Sequence, residues 1–227
     1  MTATDDAMIV AVVSPPGQVE GETEVVEKLC AAGLGRYHLR KPGWEQARVA
    51  DWLERLPANC CSRVVLHGHH ALAERFGVAG IHFRDKSDAG EVGDAGAGSR
   101  RAVPGGGLRS RSCHDPETLA QRLPEYDALL FGPVFPSLSK PGYGPVPAQA
   151  LDRVRSILAS DRGRRRARVL AIGGITSDRL PACSALGFDG VAIAGAVWHA
   201  ADPVAAVASI LGVAHARPGV AHLELPS

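Results

Sequence analysis

The sequence predicts a single domain of the α/β class, a (β/α)₈ TIM barrel. Three observations predict it. Short apolar runs, some interrupted by polar residues, alternate with amphipathic stretches along the whole chain, eight such runs occur, and no block of strands stands apart from the helices. Strict alternation of strand and helix implies a parallel sheet. The first run, 8–13, is apolar throughout rather than at every second residue, as a strand buried on both faces requires. Eight such units in about 200 residues close a barrel. A Rossmann or flavodoxin-like sheet needs five or six strands and would leave two runs unassigned.

The elements follow in order. Residues 8–13 read as the first strand, stopped by Pro15, Pro16 and Gly17. The stretch 22–32 carries Val25, Val26 and Leu29 on one helical face and ends at Gly33 and Gly35. A second strand spans 36–40. The next helix, 44–56, has Trp44, Val49, Trp52, Leu53 and Leu56 as its stripe. Strands at 64–66, 80–83, 108–113, 127–131, 169–172 and 190–193 alternate with helices at 71–76, 116–123, 148–158, 179–186 and 204–211. The Gly, Asp and Ala-rich stretch 86–107 replaces the fourth helix and is expected to be a mobile loop. The expected core covers about 8–212 of a single domain at 1–227, with an irregular tail over 217–227.

Composition narrows the function classes. With 25 basic and 24 acidic residues the net charge is +1, which gives no global field for nucleic acid or a membrane surface. The basic run 161–168 falls before the seventh strand, on the rim away from a barrel's chemistry, and reads as a solvated turn. Five cysteines without CxxC or zinc spacing read as buried thiols in a reducing compartment. The first residues, MTATDD, have no basic leader region, and 8–13 is too short for a membrane span. The expectation is a cytoplasmic protein with a small phosphorylated substrate, without nucleic acid or membrane partners, and compatible with a homodimer.

Barrel chemistry comes from the C-terminal ends of strands. Those ends read HLRK (38–41), HGHH (67–70), HFRD (82–85), SCH (112–114), a Pro/Gly-stiffened loop at 132–145, GGI (173–175) and AGA (194–196). Seven of the nine histidines lie in or near them. Gly173 and Gly174 leave backbone N–H groups uncovered, and Ala194 and Gly195 open a short helix. Together they form an expected phosphate site, unless the glycines only serve a tight turn. Ser137, Ser139 and Lys140 supply two hydroxyls and a cation for a second phosphate group. His114 is either an acid/base or the entry residue of the helix at Pro116. The HGHH cluster points its side chains to different faces, so no metal is assigned to it.

FGPVFPSLSKPGYGP, VLAIGGIT and GFDGVAIAGAVW, with SCH and HLR in support, resemble the thiamine phosphate synthase and TenI (thiazole tautomerase) superfamily from Met8 to Leu211. The resemblance implies residue roles. A Gln-x-Arg-x-Lys pattern that grips a pyrimidine diphosphate appears here as His38, Arg40 and Pro42, with Lys41 as the nearest substitute for the lysine. An Asn-Asp pair after strand three, whose Asp binds magnesium, falls on His67 and Gly68. A second magnesium Asp falls on Ser87, with Asp85 close by. Ser137, Ser139 and Lys140 match a Thr-x-Thr-Lys that contacts both substrates, with Ser112 beside them.

With both magnesium carboxylates replaced, the first expectation is a TenI-like tautomerase of thiamine biosynthesis. It would act on a thiazole phosphate without a cofactor, with His114 moving the proton. The alternative is a thiamine phosphate synthase that joins pyrimidine diphosphate to thiazole phosphate and releases diphosphate with Mg²⁺. A third reading is a non-catalytic binder of thiazole phosphate or thiamine phosphate.

Overall fold

The computed structural model describes residues 7–84, 106–136, 144–160 and 167–216. Of the expected loop only Gly106 and Gly107 are described; Ser137, Ser139, Lys140, Asp85, Ser87, the tail 217–227 and most of the basic run lie outside the described residues. Eight parallel strands close a barrel in chain order: β1 (Ile9–Val13), β2 (Arg36–Leu39), β3 (Val64–Leu66), β4 (Gly80–Phe83), β5 (Leu108–Cys113), β6 (Ala128–Phe131), β7 (Arg168–Ile172) and β8 (Gly190–Ile193). Pairing of β1 with both β2 and β8 completes the circuit.

Nine helices are described around it: α1 (Glu22–Ala31), α2 (Gln46–Glu54), α3 (Ala58–Cys61), α4 (Leu72–Phe76), α5 (Pro116–Arg122), α6 (Ala148–Ser160), α7 (Leu180–Ala185), α8 (Gly195–Trp198) and α9 (Pro203–His215). The predicted helix 44–56 is shorter than expected because Pro57 starts a new one. It stands at the N-cap of α3, and its carbonyl accepts from the N–H groups of Cys60 and Cys61. The last helix is longer than its apolar stripe, because Asp202 caps it through Val204 and Ala205. All five cysteines are buried and none forms a disulfide. Among the described residues no helix is long and apolar enough to cross a membrane.

Alternation along each strand divides the side chains between two cores. Outward residues pack against the helices: Tyr37 stacks on Trp52 with centroids 5.9 Å apart, and the Trp198 indole donates to the Val13 carbonyl. Inward residues of β1, β6, β7 and β8 form a separate apolar cluster of Ala11, Val13, Leu130, Leu170 and Ala192. The inward positions of β2, β4 and β5, and the residue after β3, are polar instead. They hold His38, His82, Ser110, Ser112 and His67, so the barrel interior is apolar on one side and polar on the other.

The same alternation corrects the role of Lys41. It follows Tyr37 and Leu39 on the outward side of the chain, where its ammonium donates to the Pro15 and Gly17 carbonyls and to Glu22. Both charged groups are almost completely buried, and Tyr37 donates to the other Glu22 oxygen. Burial pushes the Glu22 carboxyl up and the Lys41 ammonium down, against the effect of their pairing. Lys41 is therefore a packing residue and not a substrate ligand. Lys41→Met, which leaves Glu22 buried without its cation, is expected to cost roughly 3 kcal/mol in denaturant unfolding. The double variant Lys41→Met/Glu22→Leu is expected to recover most of that loss.

Candidate functional site

The barrel mouth is built by residues that continue the inward side of each strand. Arg40 follows His38 by two residues. Ser14, at the end of β1, fixes its backbone by accepting from the Arg40 N–H at 2.8 Å and donating to its carbonyl at 3.0 Å. The guanidinium itself has no hydrogen bond or ion pair among the described residues. Burial and the charge of Arg84 lower its pKa. Arg84 stands in the same relation to His82, so the β2–β4 arc of the rim carries two cations held close together. Such an arrangement recognises a multiply charged anion.

The facing arc is made of backbone. Gly173 and Gly174 adopt φ values of +97° and +62°, conformations that favour glycine. A Cβ at Gly173 would run into Pro133, and one at Gly174 into the Pro136 carbonyl. The loop after β6 lies directly on this turn, bonded through Val134 N–H to Ile172 and Phe135 N–H to Gly173. The turn therefore needs its glycines for packing as well as for access, and a side chain at Gly174 would disturb both loops. Among the described residues the N–H groups of Gly174 and Gly195 meet no acceptor. Ala194 and Gly195 bring the second of them alongside from the end of β8. Arg179 reaches back over the Phe135 ring at 5.0 Å and donates to the Gly174 carbonyl.

His114 stands between these arcs, exposed at the end of β5. Its Nδ1 lies 2.6 Å from the Gly132 carbonyl. A carbonyl only accepts, so Nδ1 carries a hydrogen, and Nε2 is the ring nitrogen left to exchange a proton with a ligand. The cap of α5 is the neighbouring Asp115, which accepts from the Thr118 N–H at 2.8 Å. Capping therefore does not account for His114.

Below the rim lie His38, His67 and His82, all buried. His38 Nδ1 and His67 Nε2 are 2.9 Å apart, and the His67 and His82 rings stack at 4.0 Å. His82 binds Ser110 through Nδ1 at 2.8 Å and Ser112 through Nε2 at 2.9 Å. Burial, with the charge of Arg36, pushes His38 down to about 3. Burial and then the neighbouring rings hold His67 and His82 well below the ordinary histidine range. Three neutral imidazoles result. His38, His67 and Ser112, expected at the substrate, bond to one another or to His82 inside the barrel. The other HGHH rings turn away, His69 to the Trp44 carbonyl and His70 to the His82 carbonyl.

The sequence had offered His82 and Arg84 only as part of the HFRD strand end, with no role assigned, and had not suggested Ser110 or Arg179. Counting alternate positions back from HFRD and SCH would have placed the first three on the inward side. A separate cavity of about 360 Å³ lies between the start of α1 and α2, outside the barrel and away from these groups.

The family model described as thiamine monophosphate synthase, TMP-TENI, matches residues 10–197. A protein of Geobacter sulfurreducens named putative thiamine-phosphate synthase is 30% identical over 184 residues, 79% of this chain and 80% of that protein. A thiamine-phosphate synthase of Chromobacterium violaceum is 30% identical over 173 residues, 75% and 76% of the two chains. Among solved structures, a thiamine phosphate pyrophosphorylase of Bacteroides thetaiotaomicron has a TM-score of 0.71 over 91% of this chain and 98% of that one, at 24% identity. That last likeness is one of fold.

Proposed function

The chain belongs to the thiamine monophosphate synthase (TMP-TENI) family, and from that premise we propose that it joins a pyrimidine diphosphate to a thiazole phosphate with release of diphosphate. The observation that carries this reading is the pair of anion-holding arcs on opposite sides of one mouth. Arg40 and Arg84 suit the diphosphate, and the N–H groups of Gly174 and Gly195 suit the single phosphate. A tautomerase needs only the second. The names of the relatives point the same way.

Magnesium, which the resemblance implies for a synthase, would have to be held differently here. Gly68 offers no side chain, and the donors described below the rim are imidazoles and hydroxyls, a poor set for a hard cation. What the chain's own residues supply is positioning: two bound anions bring the reacting rings together over the barrel axis, which removes much of the entropic cost of their encounter.

A second reading, a TenI-like tautomerase, is favoured by His114. Its carbonyl-fixed ring presents Nε2 between the two arcs, where a thiazole carbon could give up or receive a proton. One assay separates the two. Thiazole phosphate is supplied with and without pyrimidine diphosphate, and thiamine phosphate and diphosphate are measured in Mg²⁺, Mn²⁺, Co²⁺ or Zn²⁺. The synthase reading expects equal amounts of both products. Isomerised thiazole phosphate with no thiamine phosphate under any metal would replace it with the tautomerase.

A further inference from the structure

We propose that His38, His67 and His82 form a binding site for a divalent transition ion of the Zn²⁺ and Co²⁺ class, seated inside the polar half of the barrel. One ring nitrogen from each lies within 4.8 Å of the other two. Ligands around a tetrahedral ion at about 2.0–2.1 Å from each nitrogen stand roughly 3.3 Å apart. The 2.9 Å between His38 Nδ1 and His67 Nε2 therefore has to open by only a few tenths of an ångström, with the hydrogen of that contact moving to the far nitrogen of its ring or leaving as the ion binds, while any wider separation within the 4.8 Å limit closes onto the ion. No carboxylate belongs to the group, and neutral imidazole favours a borderline transition ion over magnesium or calcium.

The surroundings of His82 give an independent argument. Ser110 has one hydroxyl hydrogen, which it donates to the Ile81 carbonyl at 3.2 Å. Its oxygen must then accept the 2.8 Å bond from His82 Nδ1. That assigns the ring hydrogen to Nδ1 and leaves the lone pair on Nε2, the atom turned towards Ser112. A ligating histidine whose other nitrogen donates to a carbonyl-anchored oxygen is the usual outer arrangement of a metal site. An ordinary core histidine needs hydrogen-bond partners, but it does not need a second imidazole stacked on it at 4.0 Å and a third edge-on at 5.5 Å.

The three residues come from β2, the end of β3 and β4, so the barrel itself fixes their separation. Three protein ligands leave a fourth position open. Arg40 and Arg84 lie two residues further towards the mouth than His38 and His82. The open position would therefore face an anion held by the two arginines, while the charge of the arginines would resist a bare cation at the rim itself.

The test uses tag-free full-length protein, stripped with EDTA and returned to chelator-free buffer. Titration with Co²⁺ is expected to give one ion per chain, visible ligand-field bands of histidine-bound cobalt, and a raised Tm that Mg²⁺ does not reproduce. His67→Ala and His82→Ala are expected to lose the bands, while His69→Ala, from the same HGHH segment, keeps them. Ser110→Ala retains all three ligands but loses control of the His82 tautomer. Its Co²⁺ affinity is expected to fall about 10–100-fold with the stoichiometry unchanged. Circular dichroism checks each variant; should the histidine variants fail to fold, Ser110→Ala and the wild-type titration decide. No Co²⁺ uptake by the wild type, full binding after both histidine substitutions, or undiminished affinity in Ser110→Ala would overturn the site.

Discussion

Arg40→Met is expected to abolish measurable thiamine phosphate formation at low pyrimidine diphosphate while leaving thiazole phosphate binding intact. The guanidinium is half-buried at the rim, has no protein partner among the described residues, and is held by the Ser14 bonds to its backbone. Removing one partner of a desolvated charge pair costs about 2–5 kcal/mol, and each 1.4 kcal/mol is about tenfold in affinity. The dissociation constant for pyrimidine diphosphate is therefore expected to rise roughly 30-fold or more. Arg84 lies close enough to compensate in part, so the double variant Arg40→Met/Arg84→Met is expected to lose more than Arg40→Met alone. Calorimetric titration with each ligand separately checks both points. Equal weakening for both ligands would mean that Arg40 supports the fold of the mouth rather than one anion.

His114→Gln is expected to lower the rate of any proton transfer at the thiazole by about 10²–10⁴-fold, the usual contribution of a positioned acid or base. Folding should be nearly unaffected, because the ring is exposed and the cap of α5 is Asp115. The prediction is specific to kcat: the thiazole phosphate affinity, set by backbone N–H groups elsewhere, should change little. By contrast, Asp115→Ala is expected to cost about 1 kcal/mol of stability with turnover retained. Measuring kcat, affinity and Tm on both variants separates the roles. Unchanged kcat in His114→Gln, in both the synthase and the tautomerase assay, would remove the ring from the chemistry.

The barrel was legible because eight apolar runs survive as eight strands, with ends displaced by only a residue or so. What the runs could not convey was direction. In β1, β6, β7 and β8 both faces are largely apolar, and in β2 and β5 polar residues fall on both, so hydrophobicity does not distinguish an inward residue from an outward one. Lys41 illustrates the cost: the resemblance offered it as the nearest substitute for a substrate lysine, yet its place in the alternation sends it outward to Glu22. His82 was visible in the HFRD strand end, but its place beside His38 and His67 was not, since its neighbours Ile81 and Phe83 are apolar and nothing local marks it as facing His38. The phosphate turn was readable because consecutive glycines carry a backbone requirement visible in the sequence. The short helix α3 was not, because Pro57 reads as a stop while it also starts the next turn.

The direct test of a two-armed mouth is a calorimetric titration of thiazole phosphate into protein saturated with a non-reactive pyrimidine diphosphate analogue. Two separate arcs require the thiazole phosphate to bind with one site per chain and an affinity no weaker than in the free protein. They also require the saturating analogue to remain bound throughout. Competition between the two ligands, with the apparent thiazole phosphate affinity falling in proportion to the analogue concentration, would mean one anion site in place of two and would contradict the synthase reading.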